Sequence, residues 1–196
     1  MKRTVTVILA VLAALLAGCG LTSTTGSGNV MTQEETITGF DKVEISQGFR
    51  LDISQGDTFS VVVRVDDNLV QYLQVVKQDN TLKIGLEPDR TYASATLRAE
   101  VTMPQLSRLT LRHGSRGTVS GSGGDVTVEA FDGSRGDLSA FAVENATVVA
   151  RGGSRLTVNV SGKLVADAHE GSRVDYLGNP TAVTTNTTGG SEIGPE

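Results

Sequence analysis

The sequence predicts an all-β protein and, within that class, a parallel β-helix or solenoid with coils of about 19 residues. Three observations predict it. A Gly-Ser turn recurs at regular spacing, apolar and polar residues alternate before each turn, and the composition combines 23 glycines with no tryptophan and 4% aromatic residues. Alternation at period 2 is the pattern of a strand with one buried face. So few aromatic residues indicate a thin, aliphatic core.

The recurring turn is a Gly-Ser pair, and in its first four occurrences an arginine follows. The five glycines lie 19, 20, 18 and 19 residues apart. Glycine supplies the turn conformation and serine can bond neighbouring backbone at a corner, so we interpret these positions as structural. The predicted turn residues are Gly114, Ser115, Gly133, Ser134, Gly153, Ser154, Gly171, Ser172, Gly190 and Ser191.

Strands are predicted on both sides of each turn. Of the 15 residues that stand three, five and seven places before the glycines, 12 are apolar, whereas the interleaved positions are mostly polar. A second alternating run follows each turn. Because the same turn and the same inward positions recur in every repeat, the pattern favours parallel stacked coils over an antiparallel meander. Such coils would lie about 4.8 Å apart.

The first half of the chain fits this repeat less well. Short runs over 40–101 in which apolar and polar residues alternate predict further strands. The polar stretch Asp66-Asp67-Asn68 precedes apolar residues at helical spacing, which predicts a short helical turn near 67–73.

The N-terminus has the pattern of an export signal. Lys2 and Arg3 precede an uncharged run over 5–17 that is shorter than the ~20 residues of a membrane span but fits a signal peptide. The run ends in Leu-Ala-Gly before Cys19, the one cysteine of the chain, in the manner of a bacterial lipobox. The alternative is a plain secretory peptide with an incidental thiol.

These signals predict three segments. Residues 1–18 would be a lipoprotein signal peptide, 19–28 a lipidated Cys19 with a flexible tether, and 29–196 a single domain. The predicted location is the cell envelope, with the membrane as a partner through the lipid anchor. Gly20 after Cys19 is compatible with the outer membrane in a Gram-negative host.

The arginines after the turns are the candidate ligand-binding residues: Arg116, Arg135, Arg155 and Arg173. Two interpretations stay open. They form either a solvated edge paired with nearby acids such as Asp137 and Asp175, or a basic stripe that binds an anionic glycan or the carboxylates of an envelope or surface protein. Arginine suits the second role because its guanidinium binds carboxylates through two parallel hydrogen bonds.

Other function classes find little support in the sequence. A net charge of −5 argues against nucleic acid as a partner. There is no Gly-x-Ser-x-Gly motif for a serine nucleophile, and the coils leave no room for a catalytic cleft around carboxylates such as Asp132 and Glu170. His113 and His169 differ in their offset from the glycine, so no metal is predicted. We therefore predict no catalytic residues and no cofactor, with a glycan-active enzyme with a shallow surface site and a pure structural spacer as the alternatives.

Several segments, together with the Gly-Ser turns, resemble the head GIN domain family, which carries the label "putative auto-transporter adhesin". The resemblance covers about residues 28–190. It implies a bacterial, exported protein, often a lipoprotein, with a right-handed β-helix-like fold, and it brings no catalytic residues. The expected function is a binding, adhesion or structural module of the cell envelope. The segments are GSGNV at 26–30, GFDKVEISQGFRLDISQGD at 39–57, DDNLVQYLQVVKQDNTLKIGL at 66–86 and VTMPQLSRLTLRHGS at 101–115.

Overall fold

The computed structural model describes residues 23–88 and 90–196, which form 17 strands and one 3-10 helix. The predicted signal peptide at 1–18 and the lipidation site Cys19 lie outside these residues. In chain order the strands are β1 (Ser23–Thr25), β2 (Val30–Glu35), β3 (Lys42–Ile45), β4 (Arg50–Gln55), β5 (Ser60–Asp66), β6 (Leu73–Gln78), β7 (Thr81–Leu86), β8 (Thr91–Ala93), β9 (Leu97–Met103), β10 (Arg108–Leu111), β11 (Arg116–Ala130), β12 (Arg135–Ala150), β13 (Arg155–Val160), β14 (Lys163–Ala168), β15 (Arg173–Leu177), β16 (Ala182–Thr187) and β17 (Glu192–Pro195).

Fifteen of these strands form one mixed sheet that curls into a nearly closed, barrel-like shape, and β1 pairs separately with β8. The long strands β11 and β12 belong to both sides of this sheet. Their first halves pair with β4 and β13, and their second halves pair with β10 and β14. We call the first side the arginine wing, in the order β2-β5-β9-β4-β11-β12-β13-β15-β17, and the other side, β6-β7-β3-β10-β11-β12-β14-β16, the second wing.

The prediction of a right-handed parallel β-helix with uniform coils of about 19 residues is wrong. In that fold all strands run parallel, whereas β5 is antiparallel to both β2 and β9, and β6 is antiparallel to β7. The β6–β7 pair is a hairpin closed by Asp79 and Asn80, with Asp79 at a φ of 53°. Two residues can only reverse the chain, because a parallel pair needs a crossover of a dozen or more residues.

The short helical turn predicted near 67–73 is a 3-10 helix over Asp67–Tyr72, and its buried residue is Leu69. Among the described residues, no helix is long and apolar enough to cross a membrane.

The core lies between the two wings. Alternate residues of most strands point inward and form one continuous apolar cluster, which is mostly aliphatic apart from a few phenylalanines such as Phe49 and Phe141. Strand β16 is an exception, because all six of its residues are exposed. The wings approach each other closely where β12 carries Gly136. A Cβ added there would lie 2.6 Å from a methyl of Leu156 and 3.0 Å from one of Leu111 on β10. This glycine therefore makes room for leucines of both wings.

The Gly-Ser turns join the second wing to the arginine wing. In the first of them, His113 and Gly114 have φ values of 53° and 74°, and the Ser115 N–H donates to the carbonyl of Arg112 at 3.3 Å. Two consecutive positive φ values across such a bond are the signature of a type I′ turn. Glycine tolerates this conformation without steric cost, which explains its recurrence.

Candidate functional site

Arginines occupy one continuous row across seven neighbouring strands of the arginine wing. Each is the register partner of the next, and Glu192 takes the following position on β17. At about 4.8 Å between strands, the row is about 29 Å long. We call it the arginine ladder, and its members in spatial order are Arg64, Arg98, Arg50, Arg116, Arg135, Arg155 and Arg173.

The two ends of the ladder are neutralised by carboxylates. Arg64 forms an ion pair with Glu100. At the other end the Arg173 guanidinium donates to Asp175 at 2.8 Å and to Glu192 at 2.6 Å. The hydrogen bond and the charge of Asp175 raise the pKa of Arg173 above its ordinary value. These two arginines already have partners within the protein.

The five arginines between these ends have no such partners. Within residues 23–88 and 90–196, their guanidinium groups make no ion pair and no side-chain hydrogen bond. All five are solvent-exposed. Two unit charges 4.8 Å apart in water repel each other by about 0.9 kcal/mol, so an unneutralised row favours binding of an anion. These five free arginines are Arg98, Arg50, Arg116, Arg135 and Arg155.

Four members of the ladder are predicted from the sequence, and three are not. The spacing of the Gly-Ser turns places Arg116, Arg135, Arg155 and Arg173 in register, and the structure brings all four together. Arg50 follows a Gly-Phe pair instead of Gly-Ser. The alternation Arg-Leu-Asp-Ile after Gly48-Phe49 matches the run after the later turns, and it was the signal that could have revealed this position.

One side of the ladder is open because the turn residues beside it are glycines. A Cβ added at Gly48, Gly114, Gly133 or Gly153 would meet nothing within 4 Å. A shallow cavity of about 250 Å³ lies among Gly48, Arg50, Thr96 and Arg98. A flat, extended ligand can therefore reach the guanidinium groups from the turn side without displacing protein atoms.

Four of the five turn serines bond backbone groups, and Ser134 is the exception. Ser115 and Ser154 donate their hydroxyls to the carbonyls of Arg112 and Arg151, each at 2.7 Å. Ser172, which is 2% exposed, accepts a hydrogen bond from the Ser154 N–H at 3.1 Å. Ser191 accepts from Ser172 in the same way. Buried hydroxyls with these partners are not available to a ligand.

Replacing Ser172 with alanine is expected to lower the free energy of unfolding by about 1–2 kcal/mol, because the buried Ser154 N–H loses its acceptor. Ser134→Ala is the matched control. Among the described residues, the buried Ser134 hydroxyl has no hydrogen-bond partner, so its removal should leave stability unchanged or slightly raise it. Urea denaturation measures both variants. Equal losses would mean that the serine hydroxyls do not act as acceptors.

The residues considered for catalysis or metal binding do not converge. Asp132 and Glu170 have φ values of 56° and 59° and occupy turns separated by the turn at Gly152. His113 lies 3.6 Å from Asp132, whereas His169 contacts Thr188 at 2.6 Å. Nowhere in the described part of the chain do three or more His, Cys, Asp or Glu side chains gather around a position for a metal ion.

A larger cavity, of about 430 Å³, lies on the second wing. It is lined by Lys42 and Arg108 but also by Asp125, whose carboxylate accepts a hydrogen bond from Asn145 at 2.8 Å. Its charge is mixed, and it lies apart from the ladder. The ladder is therefore the more distinctive candidate site.

Most of the chain matches a known protein family. The family model described as "Putative auto-transporter adhesin, head GIN domain" matches residues 39–121 and 113–180. The chain belongs to this family. The resemblance inferred from the sequence is thereby confirmed. All seven ladder arginines lie within the matched parts of this head GIN domain. No curated protein matches the chain.

Solved structures show the same fold. A "putative adhesin" from Bacteroides fragilis has a TM-score of 0.59 and 13% sequence identity, over 88% of this chain and 100% of its own. A "putative adhesin" from Parabacteroides distasonis has a TM-score of 0.57 and 13% identity, over 89% of this chain and 100% of its own. At this identity the likeness supports the fold of the head GIN domain and does not transfer site residues.

Proposed function

We propose that this head GIN domain is an exported, lipid-anchored adhesion module of the bacterial cell envelope, and that it binds an acidic polysaccharide along the arginine ladder. The proposal depends on one observation: five adjacent arginines without a carboxylate partner among the described residues. The names of the similar structures from Bacteroides fragilis and Parabacteroides distasonis agree with a role in adhesion.

The shape of the ladder favours a polymer over a small ligand. The five free arginines form a row of about 19 Å at the strand spacing, on an exposed face with glycines along one side. A small ligand is usually held in a cleft that buries most of its surface. A linear polymer with repeated anionic groups instead gains one guanidinium contact for each of several charges, which suits a long, shallow row.

The N-terminus supports the anchoring part of the proposal. The lipobox pattern ends at Cys19, and β1 begins at Ser23 and pairs with β8. Because β1 lies within the segment 19–28 that was predicted to be a flexible tether, only the three residues 20–22 separate the proposed lipid from this strand. A linker that short would hold the domain close to the membrane, within reach of polymers at the envelope surface.

Replacing the five free arginines with glutamine tests the proposal. At about 0.4 kcal/mol for each exposed ion pair, five contacts amount to about 2 kcal/mol, so affinity for an acidic polysaccharide should fall about 30-fold. Titration of the purified protein at low salt measures the affinity, and thermal unfolding checks that the fold is kept.

A matched control removes five positive charges from the second wing and its turns. This variant has the same net charge as the test variant but an intact ladder, so it should bind within about 3-fold of the unmodified protein. If both variants lost the same affinity, the loss would be due to net charge alone, and the ladder would not be the binding site. No binding by the unmodified protein would favour a structural spacer. The control substitutes Lys42, Lys83, Arg108, Arg151 and Lys163.

A further inference from the structure

The segment just before β2, residues 23–29, is bound to the surface of the domain, although the sequence predicts a flexible tether over most of it. β1 pairs with β8, and the Gly26 N–H extends this contact by donating to the carbonyl of Ala93 at 3.0 Å. We call the seven residues 23–29 the strap. The strap is the first part of the described chain, so it lies between the proposed lipid on Cys19 and the rest of the domain.

The 3-10 helix holds the second half of the strap. The Asn68 side chain accepts a hydrogen bond from the Ser27 N–H at 3.1 Å and donates one to the carbonyl of Thr25 at 2.8 Å. The Ser27 hydroxyl donates to the carboxylate of Asp67, and this hydrogen bond lowers the pKa of Asp67 below its ordinary value. The Asp67 N–H in turn donates to the carbonyl of Asn29 at 2.9 Å. Polar contacts thus hold the strap along its whole length.

The strap has no apolar side chain that could pack into the core. Its sequence is Ser-Thr-Thr-Gly-Ser-Gly-Asn, whereas β5 buries Val61, Val63 and Val65. A hydrogen bond at an exposed site contributes little net free energy, because water replaces it when it breaks. Segments with few buried apolar contacts are the ones that open most readily from a folded domain. The strap can therefore leave the domain without disturbing the core.

A buried carboxylate lies directly under the strap. Asp66 is fully buried, and one of its carboxylate oxygens accepts from the Thr96 N–H at 2.9 Å. The other oxygen has no hydrogen-bond partner among the described residues. A Cβ added at Gly26 would lie 2.0 Å from the first oxygen, so the strap covers this group. Burial of an incompletely hydrogen-bonded carboxylate is unfavourable. Departure of the strap lets water reach Asp66, and this favours release.

Release of the strap lengthens the linker between the proposed lipid and the domain. At about 3.4 Å a residue, the maximum length rises from about 10 Å for residues 20–22 to about 34 Å for residues 20–29. β2 limits the extension, because it pairs with β5 from Val30 to Glu35. A load between the membrane and a ligand on the arginine ladder reaches the strap before any other described element, since the strap is nearest to Cys19 in the chain.

We propose that the strap is a releasable extension of the membrane anchor. While it is bound, the strap holds the domain close to the membrane. Under load it leaves the domain, and the ladder can then follow a ligand that moves away by up to about 24 Å. The core and the strand register of the ladder are the same in both states, so adhesion continues without unfolding. This inference rests on the proposed lipid anchor at Cys19.

Force spectroscopy on the unlipidated mature chain, held at the Cys19 thiol and at Glu196, tests the release. We expect a first extension of up to about 24 Å at a lower force than unfolding of the core. Ser23→Cys with Thr91→Cys joins register partners of β1 and β8 by a disulfide, so the load bypasses the strap and the first extension should disappear. Reduction of the same protein is the matched control and should restore it. A first extension that persists with the disulfide intact, or none before the core unfolds, would overturn the proposal.

A second variant releases the strap without load. In Gly26→Ala the added methyl meets the Asp66 carboxylate and, at 2.9 Å, the backbone of Ala95. Amide hydrogen exchange in the strap should become at least about 10-fold faster, while exchange in β5 stays within about 3-fold. Gly124→Ala, where a Cβ meets nothing within 4 Å, should change neither. Unchanged exchange in the strap of Gly26→Ala would contradict its packing against Asp66.

Lipidation is measured separately, by incorporation of labelled palmitate at Cys19 in cells that express the full chain. Absence of the label would overturn the proposed anchor. Absence of the first extension, with the label present, would overturn the releasable strap and leave the anchor in place.

Discussion

Replacing Phe49 with serine is expected to lower the free energy of unfolding by about 4 kcal/mol, although serine follows the turn glycine at every later turn. Phe49 occupies the serine position of its own turn: Gly48 precedes it with a φ of 75°, Arg50 follows it, and its carbonyl accepts from the Arg116 N–H at 2.9 Å. Its ring is fully buried. Serine would leave a cavity in the core and place an unpaired hydroxyl there.

Urea denaturation measures the effect, and Phe49→Leu is the control. Leucine fills most of the ring volume without adding a polar group, so its loss should stay near 1.5 kcal/mol. A loss below about 1 kcal/mol for Phe49→Ser would mean that the serine environment of the later turns also exists at this turn.

Replacing Gly136 with valine is expected to lower the free energy of unfolding by about 3 kcal/mol or more. Gly136 faces the core from β12. Even a single added Cβ there would lie only 2.6 Å from Leu156 and 3.0 Å from Leu111. Valine adds two further methyl groups, and the backbones of two paired strands limit how far the leucines can retreat. Thermal and chemical unfolding measure the loss.

Two further variants separate overpacking from a general effect of replacing glycine in a strand. Gly124 also lies in a strand, β11, but a Cβ there would meet nothing within 4 Å, so Gly124→Val should be neutral or mildly stabilising. Gly136→Ala combined with Leu156→Val should be less destabilising than the sum of the two single changes. An additive result would contradict the contact with Leu156.

The second half of the chain could be predicted in some detail because its order is periodic. The apolar residues predicted to face inward before the first four turns are buried, as with Val128, Val148 and Ala166, whereas Val183 before the last turn is exposed. Four ladder arginines follow from the turn spacing alone. The first half has no such period. Arg98 joins the ladder through the parallel pair β4–β9, and Arg64 joins it through the antiparallel pair β5–β9. No sequence spacing connects either of them with Arg116. The position of the ladder could therefore be predicted from the sequence, but its length and its members from the first half of the chain could not.

Strand direction was the part that the sequence analysis predicted wrongly. The hairpin of β6 and β7 is closed by Asp79-Asn80 between two alternating runs, a short polar pair of the kind that closes hairpins. The regular spacing of the Gly-Ser turns predicts parallel coils, but this spacing exists only in the second half of the chain, and the local pattern around Asp79-Asn80 is that of a hairpin. A repeat in one half of a sequence does not determine how the other half pairs.

The spacing of the arginine ladder is set by the backbone and not by the side chains. Each rung stands on a different strand, and hydrogen bonds between main-chain groups fix the distance from one strand to the next. Substitutions can change which positions of the ladder carry a charge, but they do not change the distance between neighbouring positions. The interval between neighbouring charges along this row can therefore change only in whole strand steps.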